Sequence, residues 1–392
     1  MKLMKLALDG VDLFKDKRFE IDFIAHDRVV DQNAVHQIEG RIYSQNVIAF
    51  TGINAVGKTS VLRLIELVLK ILTDNLSSLE RVPFAENLQK GFKLNAIVSV
   101  DENMYYLESD ISLVPKTLWE TKPMTYDILF NEEMLFVLER KLHTKSEVAS
   151  FEAFKKSATL LERRSKIDNE ASRYLSNNRS IFSSIVSRPN QVMLALHGEI
   201  QSSGPIASPI IQVFDPSIDY IVDEKDLEQR LRMKFKTDRE ERFTNSNDLE
   251  NLLSSGTIRG SGIVQSALRV LKTGGYYFID EIESHLNKQL VGVLISLFAS
   301  SEINPNGATL IFTTHYPEVL DFIKRKDNVY FMIRNKEHQT EVIRYSDRVK
   351  RIENKKSEVF FSNYIKGTAP NYTEVSALQK YVSKIVGSDD NS

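Results

Sequence analysis

Residues 46–60 read Asn46-Val47-Ile48-Ala49-Phe50-Thr51-Gly52-Ile53-Asn54-Ala55-Val56-Gly57-Lys58-Thr59-Ser60, and the rest of the chain is best understood outward from them. Val47 to Phe50 is a short apolar run of the kind a buried strand needs. Behind the glycines, Val61, Leu62, Leu64, Ile65, Val68, Leu69 and Leu72 recur at helical spacing, which predicts a helix over 59–76 with a wide buried face. Between strand and helix, Gly52 to Thr59 satisfies the full spacing of a phosphate-binding loop. Its glycines let the backbone curl until successive N–H groups face one anion. Lys58 brings a positive charge towards the β and γ phosphates of a nucleotide, the Thr59 hydroxyl can ligate Mg²⁺, and the helix presents its positive end. Gly52, Asn54, Ala55, Gly57, Lys58, Thr59 and Ser60 are therefore the expected nucleotide-binding residues. A plain glycine turn is the bland alternative. The complete spacing, with a strand before it and a long helix after it, outweighs that.

Three later segments bear on the same chemistry. Tyr276-Tyr277-Phe278-Ile279-Asp280-Glu281 is an apolar strand ending in two carboxylates, at the edge where open α/β sheets bind ligands. Asp280 is expected in the Mg²⁺ shell, and Glu281 as the group that polarises an attacking water. Acidic turns are common after strands, so the pair gains weight only beside a phosphate loop. Thr309-Leu310-Ile311-Phe312-Thr313-Thr314-His315 is a further buried strand ending in a histidine. A lone histidine usually has no task, but one at the end of the strand after the acidic pair can contact a γ phosphate or the water. Leu253-Ser254-Ser255-Gly256 opens a helix, where small residues expose backbone donors to an anion. By itself it is equally a serine-rich loop with an N-cap.

Taken in this order, the four elements resemble the ATPase head of the ABC superfamily, and most closely the branch of RecF, the SMC proteins and the OLD-type ATPases. The resemblance covers roughly 1–115 and 210–345. It implies ATP and Mg²⁺ as cofactors, with Lys58, Glu281 and His315 catalytic and Thr59 and Asp280 on the metal. It also implies that Ser254, Ser255 and Gly256 close over the nucleotide of a second copy, so that a homodimer or higher homo-oligomer assembles head to tail. Ser284-His285-Leu286-Asn287 stands where the family's dimer-contacting loop falls. The signature reads SSGT rather than SGGQ, and Gln89 is only a weak match for the glutamine loop. The stretch between phosphate loop and signature is too long for a plain transporter subunit and far too short for an SMC arm. This intermediate length, with His315-Tyr316-Pro317-Glu318 and Gly367-Thr368-Ala369-Pro370, is similar to standalone ATPases of bacterial anti-phage systems of the OLD, Septu and Gabija types. No nuclease domain of the TOPRIM kind follows, which implies that such an activity belongs to a separate effector, a nuclease or toxin.

The expected fold is α/β: an ABC ATPase head with a mixed sheet, an antiparallel N-terminal lobe and a parallel core, plus a helical insertion. Leu3 to Ile24 alternates around an Asp9-Gly10 turn, and a hairpin is expected at Ala96–Val100 and Met104–Leu107. The segment from about Glu132 to Leu196 is charged and reads as a mostly helical arm up to Pro189. Ser202 to Pro209 has the composition of a loop or hinge. The domain boundaries are set at 1–115, 116–209, 210–345 and a C-terminal extension over 346–392.

Composition constrains the rest. Fifty-one basic residues against 53 acidic ones give a formal charge of −2, which exerts no global pull on nucleic acid or membranes. The chain has no cysteine, excluding disulfides and thiolate chemistry. Met1 to Ile24 lacks the apolar core of a signal peptide, and no stretch reaches the ~20 apolar residues of a membrane span. A cytoplasmic protein without a membrane partner is expected. Two basic clusters, Lys155, Lys156, Arg163, Arg164 and Lys166, then Arg230, Arg232, Lys234 and Lys236, are interleaved with acids such as Glu162, Asp168 and Glu228. They read first as solvated faces and second as phosphate contacts. The functional expectation is an ATP-hydrolysing sensor or scaffold of an anti-phage system. The alternative is a RecF/SMC-like DNA repair or chromosome-maintenance ATPase that binds DNA.

Overall fold

The computed structural model of the chain describes residues 1–74, 88, 91–116, 125–139, 144–165, 178–186, 193–196, 205–223, 230–245, 248–284, 286–350, 354–368 and 372–386. Gln89, Lys166, Asp168, Glu228, His285, Ala369, Pro370 and the tail from Gly387 lie outside the described residues. Elements are numbered in chain order.

The parallel sheet is the core of the molecule. It contains β10 (Met193–Leu196), β14 (Gly275–Ile279), β15 (Thr309–Thr314), β5 (Val47–Gly52), β16 (Val329–Arg334) and β17 (Thr340–Arg344), in that order across the sheet. All neighbours run parallel except the β16–β17 edge. β5 is buried along its whole length because both faces are covered. Ile48 and Phe50 face one apolar cluster, while Val47 and Ala49 face another. The second cluster is roofed by α7 (Ser255–Thr273) and α8 (Lys288–Ala299).

The first cluster lies between two sheets. The antiparallel sheet runs β2 (Arg18–Asp22), β1 (Lys2–Asp9), β6 (Phe92–Val100), β7 (Asn103–Lys116), β8 (Thr125–Leu138), β9 (Thr159–Arg164). Helix α1 (Lys58–Thr73) is sandwiched there, with Val61, Leu64, Ile65, Val68 and Leu72 fully buried. The wide apolar face expected for this helix thus meets both layers. Asp22 ties the two sheets together. It accepts from Lys5 Nζ at 2.8 Å and pairs with Arg344 at the end of β17, while His26 Nε2 sits 3.1 Å away. Smaller units complete the chain: the hairpin β3 (Val35–Glu39) with β4 (Ile42–Gln45), and the sheet β11 (Ile218–Asp223), β12 (Arg230–Phe235), β13 (Arg242–Asn245). That second sheet packs with α5 (Ser208–Phe214) and α6 (Leu249–Leu252). α9 (Tyr345–Arg348), α10 (Lys356–Phe361) and the exposed α11 (Tyr372–Val386) follow.

The mostly helical arm expected within 116–209 is corrected by the described residues. β8 and β9 there are strands that extend the antiparallel sheet. Helices α2 (Lys145–Ala149), α3 (Phe151–Ser157) and α4 (Ile181–Ile185) are each a turn or two long. The reason is an inverted polarity pattern. Glu133 points inward from β8, almost fully buried, and accepts from Ser109 Oγ (2.9 Å), Ser180 Oγ (2.8 Å) and the Ile181 N–H (3.0 Å). Arg164, buried on β9, stands 3.3 Å from it. Leu160 and Leu161 meanwhile face solvent. Burial pushes the Glu133 carboxyl upward, opposed by these hydrogen bonds and by Arg164. A strand with charges inside and leucines outside defeats the alternation rule.

Candidate active site

The phosphate loop lies between β5 and α1, and its shape is imposed from outside. A Cβ on Gly52 would come within 2.4 Å of the Met332 carbonyl on β16, and one on Gly57 within 2.8 Å of Leu13. Gly57 has φ +86° and caps α1, while Ala55 also has positive φ. Successive left-handed and right-handed residues aim backbone N–H groups into one concavity. Arg334 Nε donates to the Ala55 carbonyl at 3.0 Å, and the Thr340 hydroxyl donates to that of Val56 at 2.9 Å. The loop is thus clamped by β16 and β17, which have no sequence proximity to it.

Within the cradle, Lys58 is 6% exposed. Its ammonium donates to the carbonyls of Gly52 at 2.8 Å and Ile53 at 3.0 Å, and stands 3.2 Å from His315 Nδ1. Burial lowers its pKa below the ordinary lysine value, with Glu281, Glu283 and Asp280 pulling the other way. The Thr59 hydroxyl donates to Asp280 Oδ2 at 2.6 Å. A hydroxyl and a carboxylate in contact beside the phosphate loop are hard oxygen donors that fit an Mg²⁺ ion. When bound, the ion would neutralise phosphate charge. Among the described residues no cluster of three or more His, Asp or Glu could hold a metal unaided.

β15 separates the loop strand from the acidic strand, and its end organises both. Thr313 is fully buried. Its hydroxyl donates to Asp280 Oδ1 and accepts the Glu281 N–H at 2.7 Å. Glu281 itself has φ +47°, a left-handed geometry that side chains disfavour. His315 follows on the same strand end. Its backbone N–H donates to Glu283 Oε1 at 2.6 Å, and its Nε2 lies 3.0 Å from Glu281 Oε1. Lys58 can only donate to Nδ1, so the network assigns the neutral tautomer with its proton on Nε2, which Glu281 accepts. Ser284 Oγ also reaches Glu281 Oε2, at 3.3 Å. A carboxylate aimed by an imidazole and half open to solvent can take a proton from water at this position.

Lys58, Thr59, Asp280, Glu281 and His315 therefore lie within one chain of direct contacts. Asn54 and Ala55 are exposed on the loop, and Ser60 is half-buried at the start of α1. Ser254, Ser255 and Gly256 stand apart. They begin α7 on the exposed surface, with Ser254 Oγ accepting the Thr257 N–H at 3.0 Å. A Cβ on Gly256 would meet only Ser254 Oγ. Four participants were not picked out as site residues from sequence: Thr313, Glu283, Arg334 and Thr340. Thr313 had a local signal, a hydroxyl near the polar end of an apolar strand. Arg334 and Thr340 had none, since they act across some 280 residues of chain.

No helix among the described residues is long and apolar enough to cross a membrane. No curated protein matches the chain. A family described as "AAA domain, putative AbiEii toxin, Type IV TA system" matches residues 47–321 of the 392, from the loop strand to the turn beyond His315. The contacts among Lys58, Thr59, Asp280, Glu281, Thr313 and His315 fall inside that span, whereas Leu13, Met332, Arg334 and Thr340, which shape the loop, lie outside it. The chain belongs to this family and is a nucleotide-binding P-loop ATPase of the AAA/ABC type.

Proposed function

We propose that the chain hydrolyses ATP with Mg²⁺ as an ABC-type ATPase of the RecF/SMC/OLD branch, and that two copies form each working site. In this reading Glu281 is the general base, His315 orients it and senses the γ phosphate, and Lys58 and the loop N–H groups bind the triphosphate. Thr59 and Asp280 hold the metal. The observation that carries the reading is the continuous contact from Lys58 through His315 to Glu281, coupled with a serine-glycine helix start left exposed on another part of the surface. An exposed helix start, whose N–H groups can bind an anion, suits closure over the nucleotide of a twin. The biological role we assign is that of a sensor or scaffold subunit in a bacterial anti-phage system, acting on a separate nuclease or toxin. The toxin-related family description is consistent with that setting.

The test is complementation. Ser255→Arg and Lys58→Ala each abolish turnover, while their mixture regains part of it because one intact composite site forms. No recovery at any ratio refutes the shared site. A DNA-clamping reading draws on one observation. Arg230, Arg232 and Lys234 alternate with the buried Leu231 and Met233 on β12, and the Arg230 guanidinium lies over the Phe243 ring, which is 52% exposed. Arg232, however, is paired with Glu241 at 3.4 Å. DNA-stimulated turnover that collapses steeply with salt would favour this reading over the first.

A further inference from the structure

A cavity of about 430 Å³ opens at the end of the parallel sheet opposite the phosphate loop. Val47, at the start of β5, lies in its wall, roughly 17 Å along the strand from Gly52. The floor is apolar: Ala34, Val47, Ile295, Ala299, Phe322 and Ile323. The Phe322 ring lies against α8 because Gly292 presents no side chain there; a Cβ would sit 3.0 Å from it. Phe322 is 40% exposed, and Val30 at the mouth is 89% exposed. These apolar groups are left uncovered around a concave space of ligand-binding size.

The rim is charged and unevenly committed. Arg325 is tied to Asp327 through two hydrogen bonds, at 2.9 and 2.6 Å, and Lys326 donates to the Lys350 carbonyl at 2.8 Å. Asp31 accepts the Asn33 N–H at 2.9 Å. Asp27 engages Asp327 through its backbone N–H only. Arg28 and Lys324 are exposed and have no ion-pair partner among the described residues. Among the described residues, three rim cations without an ion pair, Arg28, Lys324 and Lys326, thus face two such acids, Asp27 and Asp31, above an apolar floor.

We propose that this cavity binds a small molecule with an apolar body and one acidic group, its body on the Val47–Phe322 floor and its acid between Arg28 and Lys324. Charge supplies orientation and the floor supplies most of the affinity, the usual division in such sites. The site is separate from the nucleotide cradle and does not depend on how ATP is used.

The experiment titrates the full chain with 1-anilinonaphthalene-8-sulfonate and, separately, with the neutral N-phenyl-1-naphthylamine, reading fluorescence. The expected result is saturable binding of one anionic probe per chain. Ser296→Trp, at an exposed position on the wall, should abolish binding of both probes, and Ala299→Phe is a second plug should the first fail to fold. Reversing Arg28→Glu and Lys324→Glu together should weaken the sulfonate probe about tenfold and leave the neutral one unchanged. The exposed stripe of α11, including Leu378 and Val382, is the competing apolar surface. Binding that survives both plugs but disappears in Leu378→Glu overturns the proposal, as does equal weakening of both probes by charge reversal. Unsaturable binding overturns it too. Circular dichroism and nucleotide binding verify that each variant is folded.

Discussion

Thr313→Val removes a single hydroxyl from a fully buried side chain and keeps its shape, so the loss is confined to two hydrogen bonds. The bond to the Asp280 carboxylate is charge-assisted, worth about 1.5–3 kcal/mol, and the orphaned Glu281 N–H adds about 1–3 kcal/mol. Asp280 keeps its Thr59 contact and Glu281 is open to water, so a net destabilisation of about 2–4 kcal/mol is expected. The kinetic effect arises differently. Glu281 is held in left-handed geometry that costs of order 1–3 kcal/mol, and its N–H to Thr313 is the anchor. Once released, the carboxylate leaves His315, and a misplacement of about 1 Å costs up to about 100-fold in turnover. Urea unfolding gives the first quantity; steady-state MgATP hydrolysis with a separate nucleotide-binding titration gives the second. kcat should fall while nucleotide affinity stays near wild type, since the loop and Lys58 are untouched. Thr313→Ser keeps both bonds and should behave like the parent. A Val variant within about 0.5 kcal/mol of wild type and with normal turnover would refute the reasoning.

Lys58→Ala should abolish nucleotide binding or hydrolysis, checked by equilibrium binding of a fluorescent nucleotide. Glu281→Gln should retain ATP binding while turnover drops about 100- to 10,000-fold, with ATP-dependent dimers accumulating in light scattering. Gly52→Ala should lose nucleotide affinity because its Cβ meets the Met332 backbone at 2.4 Å, and a titration indistinguishable from wild type would count against the clamp. The Asp22 carboxyl is pushed up by burial but held well below the ordinary range by His26, Lys5 and Arg344, which together outweigh that. A depressed carboxylate stabilises the fold fully above its unfolded pKa of ~3.9 and loses that contribution as pH falls below it. Unfolding midpoints should therefore drop below about pH 4 in wild type, and less so in Asp22→Asn, which should cost about 3–5 kcal/mol at neutral pH.

What was legible in sequence depended on how local the determining forces are. β5, α1, β14 and β15 appear within a few residues of where apolar spacing put them, because each is a strongly apolar pattern bounded by turn formers or polar residues. The hairpin of β6 and β7 was visible from its turn, where Asp101 takes positive φ, though the strands run much longer than expected. β8 and β9 were misread because Glu133 and Arg164 satisfy each other inside the sheet, a long-range pairing that local polarity cannot reveal. At the candidate site the residue types that terminate strands were readable, whereas the hydrogen bonds that orient them were not. Thr313 between Asp280 and Glu281 joins strand ends more than 30 residues apart, and Arg334 reaches Ala55 from the other end of the chain.

Helix α7 is rooted in two separate apolar clusters. Ile263, Ala267 and Val270 belong to the core of the parallel sheet, whereas Leu253 just ahead of it and Ile258 in its first turn belong to the cluster under β11–β13. Gly260 marks the junction, since the Phe214 ring from α5 occupies the place a side chain would take. The helix is therefore a beam resting on two footings. A small tilt of the three-stranded unit would swing Ser255 and Gly256 at its tip without disturbing Lys58 or Asp280. If two copies engage through Ser255 and Gly256 as proposed, a molecule seated on β11–β13 would govern that engagement while leaving each copy's grip on its own nucleotide intact.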